Sequence, residues 1–138
     1  MYLFDTNVIS ETRKILLGKA NQGVVDWLAS INKEDIYTNF VVFMELERGI
    51  LSMERRDIEQ GKRLRNWFEI TVIPSFKNKI FSIDAETAKI CAKLHIPDRS
   101  PENDAWIAAT AIQHNLTLVT PNAADFERLG VKLFNPFQ

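Results

Sequence analysis

Cysteine is nearly missing from this chain. Cys91 is the only one among 138 residues, so no intramolecular disulfide can form, and the composition suits a reducing cytosol. Histidine is equally sparse, and His95 and His114 have neither the spacing nor the cysteine partners of a zinc site. His114, near a helix end, reads as a capping or surface residue. An excess of positive charge is also lacking. The formal net charge is -1 and the pI about 6.1, so no global field draws in nucleic acid, and an RNA ligand would depend on local basic patches and bound cations. The longest apolar stretches, Phe40 to Met44 and Ala105 to Ile112, fall far short of the ~20 residues of a membrane-spanning helix. Tyr2-Leu3-Phe4 runs straight into Asp5, which does not match a secretory signal. The expectation is a soluble, cytoplasmic protein, with no membrane partner, that begins at Met1. There is no glycine-rich phosphate loop, nucleophile elbow or dinucleotide fingerprint.

What is present fits one globular domain over residues 1–138. A hydrophobic fraction of 46% and a charged fraction of 25% are ordinary for a folded domain, and a chain of this length buries enough surface for one core. Tyr2-Leu3-Phe4 reads as a buried strand opening into a polar turn at Asp5-Thr6-Asn7. Lys14 to Lys19 reads as a loop, and Gln22 to Ile31 as a helix capped by Asn21. Asp35 to Thr38 is a second strand, and Val42, Phe43, Leu46 and Ile50 mark a helix from Asn39 to Met53 that continues as a charged helix through Phe68. Lys79 to Ile83 is a strand, and Asp84 caps a helix closed by Pro97. Ser100-Pro101 starts the next helix, with Pro101 at its first position and Ser100 as cap, running to His114 with Asn115 as a left-handed stop. Leu116 to Thr120 and Val131 to Phe134 are strands around a helical turn at Ala123 to Leu129. Alternating strands and helices imply an α/β fold of three α/β/α layers with a central, mainly parallel sheet.

Ligands of open parallel sheets bind beyond the carboxyl ends of the strands. That places Asp5 and the turn Asn122 to Asp125 at one edge, with Glu45 and Asp104 within reach on the following helices. Each acid also has an ordinary explanation: Asp5 can close an Asx turn, Asp104 can complement a helix dipole, and Asp125 can cap a short helix. Glu45 is different, because Val42, Leu46 and Gly49 turn its face inward, where a carboxylate needs a partner. Gathered carboxylates repel, and a hard cation such as Mg2+ or Mn2+ allows all of them to stay charged. Such an ion also activates water against a phosphodiester.

Several stretches together resemble the PIN-domain ribonucleases, and among them the VapC and FitB type of toxin. They are Leu3 to Glu11, Met44 to Ile50, Asp104 to Ala111, Leu116 to Asn122, Asp125-Phe126 and Phe134 to Phe137. The resemblance implies a metal-dependent endoribonuclease acting on structured RNA such as tRNA or rRNA, with Asp5, Glu45 and Asp104 as metal-binding acids. It implies Thr6 and Thr120 as orienting hydroxyls. Many relatives carry an acid where this chain has Asn122, so the fourth position falls to Asp125 or to the Asn122 amide. The resemblance further implies a cognate antitoxin, a homodimer, and contact with operator DNA only through the antitoxin. Arg13, Lys14, Arg48, Arg55, Arg56, Lys62, Arg63 and Arg65 are candidate phosphate contacts, although the run from Arg55 to Arg65 also fits a solvated helix face. Trp27 and Trp67 fit core packing better than RNA stacking.

Two rival readings remain open from the residues. One is a PIN-like module that holds RNA or an antitoxin without cutting, favoured by Asn122. The other is a phosphotransfer domain. Its phosphatase form needs a second Asp two residues after the first, where Asn7 stands, and its receiver form needs an acidic pair and a late Lys that the motif order does not supply.

Overall fold

A computed structural model describes residues 1–138. Five short strands form one parallel sheet: β1 (Tyr2–Phe4), β2 (Ile36–Asn39), β3 (Ile80–Phe81), β4 (Thr117–Val119) and β5 (Leu133–Phe134). Their order is β3-β2-β1-β4-β5. The central strand β1 pairs Leu3 with Tyr37 on one side and with Leu118 on the other. Leu3, Phe4, Leu118 and Val119 are almost fully buried, as expected of a parallel sheet covered on both faces by helices. This is the α/β/α arrangement expected from the alternation of elements.

The helices are α1 (Thr6–Ile15), α2 (Gln22–Ser30), α3 (Phe40–Arg56), α4 (Ile58–Trp67), α5 (Ile73–Ser75), α6 (Ala85–Leu94), α7 (Glu102–Gln113) and α8 (Ala123–Phe126). Helix α1 corrects the expectation of a polar turn after β1. Asp5 has extended backbone and its Oδ1 accepts from the Val8 amide at 3.1 Å, so the same local bond that closes an Asx turn serves as a helix N-cap. Val8 and Ile9 then bury one face of α1 in the core. Asn21, Asn39 and Asp84 cap α2, α3 and α6 through their side chains.

Two further expectations need correction. The charged helix does not run unbroken from Asn39 to Phe68: it stops at Asp57, which caps α4, and Phe68–Val72 then widens into a π-helical turn. Ser100 does not cap α7 and Pro101 stands before the first helical residue, with no side-chain cap bond. The Ser100 hydroxyl instead donates to the Leu94 carbonyl at 2.9 Å and accepts from Arg128 at 2.9 Å. Asn115 does take a left-handed φ of 54° after α7. Trp27 is half-buried against Tyr2, Phe4 and Phe134, and His114 stacks on Phe81 with ring centres 3.9 Å apart. No helix is long and apolar enough to cross a membrane.

Arg65 departs from the expectation of a solvated basic face. From α4 it reaches across to α3, donating to Glu47 at 2.9 and 2.6 Å and to Glu54 at 3.2 and 3.0 Å. Paired forks of this kind are among the stronger charge-assisted bonds. Gly61 makes the approach possible, since a Cβ there would lie 2.5 Å from the Glu54 Cα.

Candidate active site

Strand order reverses around β1, and a polar cleft of about 160 Å³ opens there beyond the strand ends. Asp5, Thr6, Asn7, Glu45, Asp104, Asn122 and Asp125 line it, with Ile107 and Phe126 as its apolar members. The four acids and Asn122 singled out in the sequence therefore share one cleft, although they lie on four separate stretches of chain. Thr120 stands behind Asp5.

Asp5 is held most tightly. It leaves β1 with 5% of its surface exposed. Its Oδ1 caps α1, and its Oδ2 accepts from the Thr120 hydroxyl at 2.5 Å, just past the end of β4. Thr120 Oγ1 in turn accepts from the Asn122 amide at 3.0 Å, which ties the rim of the cleft to its floor. Burial pushes the Asp5 carboxyl above its ordinary pKa; the hydrogen bonds from Thr120 and the Val8 amide pull the other way without cancelling it, and the Glu45 charge adds to the rise.

Glu45 is placed by α3, whose start is pinned by the buried Asn39. That side chain accepts from the Val42 amide and donates to Thr110 Oγ1 of α7, both at 3.0 Å. The Glu45 carboxylate is gripped on both oxygens, by the Thr6 hydroxyl at 2.7 Å and by the Asn103 amide at 3.2 Å. Sequence reasoning passed over Asn103. Its only signal was its place beside Asp104 in the first turn of a helix.

Asp104 and Asp125 make no side-chain hydrogen bond. A dipole-capping role would lower the pKa of Asp104, yet it is raised, first by burial and then by the charges of Asp125 and Glu45. Asp125 sits in the first turn of α8 without capping it, and Asn122, at the N-cap position, gives no side-chain bond either. Both stand exposed at the rim.

No lysine or arginine lines the cleft, and none of its four acids belongs to an ion pair. The residues fit a hard divalent cation: the donors are all oxygen and the negative charge has no internal counterion. They do not close into a cage, as no three acids converge on one point as ready ligands. An open cleft of this kind leaves room for water around an ion.

Residues 2–132 match the PIN domain family. The chain belongs to the PIN-domain family. It is 33% identical to Toxin FitB of Neisseria gonorrhoeae, over 99% of both chains. It is 28% identical to the VapC ribonuclease Y4jK of Sinorhizobium fredii, over 100% of this chain and 99% of that one. Among solved structures, FitAB bound to an IR36 DNA fragment superposes with a TM-score of 0.87 at 31% identity, covering 100% of this chain and 96% of that one. The PIN-domain resemblance read from the sequence motifs therefore holds along nearly the whole chain.

Proposed function

We propose that this PIN domain is the toxin of a toxin–antitoxin module and acts as a Mg2+- or Mn2+-dependent endoribonuclease. The observation that carries the reading is the gathering of Asp5, Glu45, Asp104 and Asp125 around one cleft without a cationic partner. The names of the FitB toxin and the VapC ribonuclease support it. A bound divalent ion supplies Lewis acidity toward a phosphoryl oxygen and lowers the pKa of water.

The chain's own residues then divide the work. Asp5 and Glu45, each held by two hydrogen bonds, form a fixed platform for ligation. Preset orientation of this kind limits the rearrangement needed during reaction. Asp104 and Asp125, free of side-chain hydrogen bonds within the protein, would complete the ligand set and orient water, and an open Asp104 oxygen accepts the proton of the attacking water. A bond forms from water oxygen to phosphorus, the P–O ester bond breaks, and the leaving oxygen takes up a proton from solvent while Asp104 releases to solvent the one it received. Asn122 keeps the rim polar without adding charge. The alternative, a weakened module that binds RNA or antitoxin without cutting, is favoured by Asn122 in place of an acid. Asp125, three residues on in the same cleft, supplies the carboxylate that Asn122 lacks.

The partners proposed are structured RNA such as tRNA or rRNA as substrate, a second copy of the chain, and a cognate antitoxin through which operator DNA is contacted. A mostly apolar groove of about 570 Å³, lined in part by Ile9, Ile15, Leu16, Leu28, Trp67 and Phe76, suits a partner segment. Leu16 on its edge is 82% exposed. Purified protein is expected to cut RNA with Mg2+ or Mn2+, to stop in a chelator, and to lose activity in Asp5→Asn and Asp104→Asn. Continued cutting by both variants, with contaminating nuclease excluded, rejects the mechanism.

A further inference from the structure

Helix α3 leads away from the cleft. Glu45 lines the cleft, and at about 100° and 1.5 Å per residue Gly49, Ser52 and Arg56 follow it along nearly one line, with Arg48 and Arg55 to one side. All five are exposed. Leu46 and Ile50 turn to the core. The other acids of the helix, Glu47 and Glu54, fall on a different side, where Arg65 binds both. The charges of α3 are thereby sorted: beyond Glu45, every charged side chain on the face that continues from the cleft is positive. Arg48, Arg55 and Arg56 form no ion pair, and Arg56 has only a 3.5 Å contact with the Met53 sulfur.

Gly49 is an independent observation on the same face. Glycine within a helix is destabilising relative to alanine, and internal packing does not require it, because a Cβ at this position meets nothing within 4 Å. Gly61 differs, since its missing Cβ lets α4 approach α3. What Gly49 leaves open is the surface of the helix backbone itself, one turn from Glu45.

We infer that the RNA strand leaves the acidic cleft along this face of α3, its backbone passing over Gly49 and its phosphates held by Arg48, Arg55 and Arg56. The inference rests on the ribonuclease reading of the cleft. It also resolves a difficulty of that reading, since an acidic cleft in a chain of net charge -1 does not itself attract a polyanion. Contacts of this type position the strand and read no bases.

The test compares Arg48→Gln/Arg56→Gln with Lys89→Gln/Lys93→Gln, which removes the same charge from α6, a helix outside the cleft. Binding of a labelled single-stranded RNA oligonucleotide is measured against salt in an Asp5→Asn background, and RNA cleavage with Mn2+ is measured in the otherwise unaltered protein. The arginine pair is expected to weaken binding about tenfold at low salt and to flatten the dependence of log K on log salt by about 1.4, given roughly 0.7 per contact on single strands. It raises KM more than it lowers kcat, while the lysine pair behaves as the parent. Gly49→Ala is expected to raise Tm and still weaken RNA binding, a combination that a purely structural glycine does not give. Unchanged salt dependence in the arginine pair, with cleavage intact in the parent, overturns the track and leaves the ribonuclease standing. A parent that neither cuts nor binds RNA removes both. Loss of binding to an acidic protein partner, with RNA binding unchanged, reassigns the arginine face to that partner.

Discussion

Asp5→Asn tests whether the cleft is strained by its own charge. The substitution keeps the shape of a nearly buried residue and retains an oxygen to accept from the Val8 amide, while the Thr120 hydroxyl can turn to accept from the new amide. What is lost is a carboxylate whose pKa is raised by burial and by Glu45. Replacing such a group is worth about 1 kcal/mol, typical of a single stabilising change. For a chain of 138 residues, the usual unfolding entropy makes that a rise of about 3 °C in Tm in the presence of a chelator. Metal acts in the same sense on the parent, by neutralising the charge rather than removing it. At one hundred times Kd a ligand of the native state adds about 2.7 kcal/mol, or about 9 °C on the same scale. The variant loses most of that shift.

The pH dependence of this effect follows from the direction of the shifts. Asp5 and Asp104 both have folded pKa values above the ordinary 3.8, so between that value and their raised ones the native state binds more protons than the unfolded chain. Their destabilising effect is complete above the raised values and relieved as pH falls through them. Metal-free parent therefore gains stability from these two groups on mild acidification, the Asp5→Asn variant gains less, and the metal-induced shift shrinks at the same time. Thermal unfolding followed by circular dichroism, with and without Mn2+ over a pH series, gives all three quantities. A parent Tm indifferent to Mg2+ and Mn2+, or an equal metal shift in Asp5→Asn, refutes the reasoning.

Asn103→Ala frees one oxygen of Glu45 and is expected to cost about 10–100-fold in metal affinity or activity, as for other residues that orient a ligand; isothermal titration with Mn2+ measures it. Gly61→Ala drives a methyl into the Glu54 backbone and should destabilise the fold by about 1–3 kcal/mol, read as a fall in the denaturation midpoint. Glu47 and Glu54 have pKa values lowered by Arg65 below the ordinary 4.5, so their contribution is present above that value and lost as pH falls through the lowered ones. The Tm deficit of Arg65→Met, compared at neutral and strongly acidic pH, should therefore shrink in acid; an undiminished deficit assigns the loss to packing instead.

The strands and the caps Asn21 and Asp84 could be read in advance because each is a local signal, an apolar run or a short polar residue before a periodic segment. Helix α1 could not. Its start, Asp5-Thr6-Asn7, offers the same hydrogen bond to a turn and to a cap, and what decides between them is the burial of Val8 and Ile9 against residues far along the chain. The π-helical turn at Phe68–Val72 and the pairing of Arg65 with Glu47 and Glu54 likewise depend on how two helices meet. At the cleft, the residue types were legible and their meeting was deduced from sheet topology. Asn103 was missed because an amide beside an acid has no pattern of its own until a carboxylate from another helix arrives.

The position of β1 bears on how the protein is made. Strand β1 is the middle of the finished sheet, and one of its two neighbours, Thr117–Val119, is translated long after it. Until then Asp5 has no Thr120 to grip, and the turn that carries Asp125 has not yet been made. Messages cut short before that point yield fragments without a complete cleft, so assembly of the acidic site waits on the strand that follows α7.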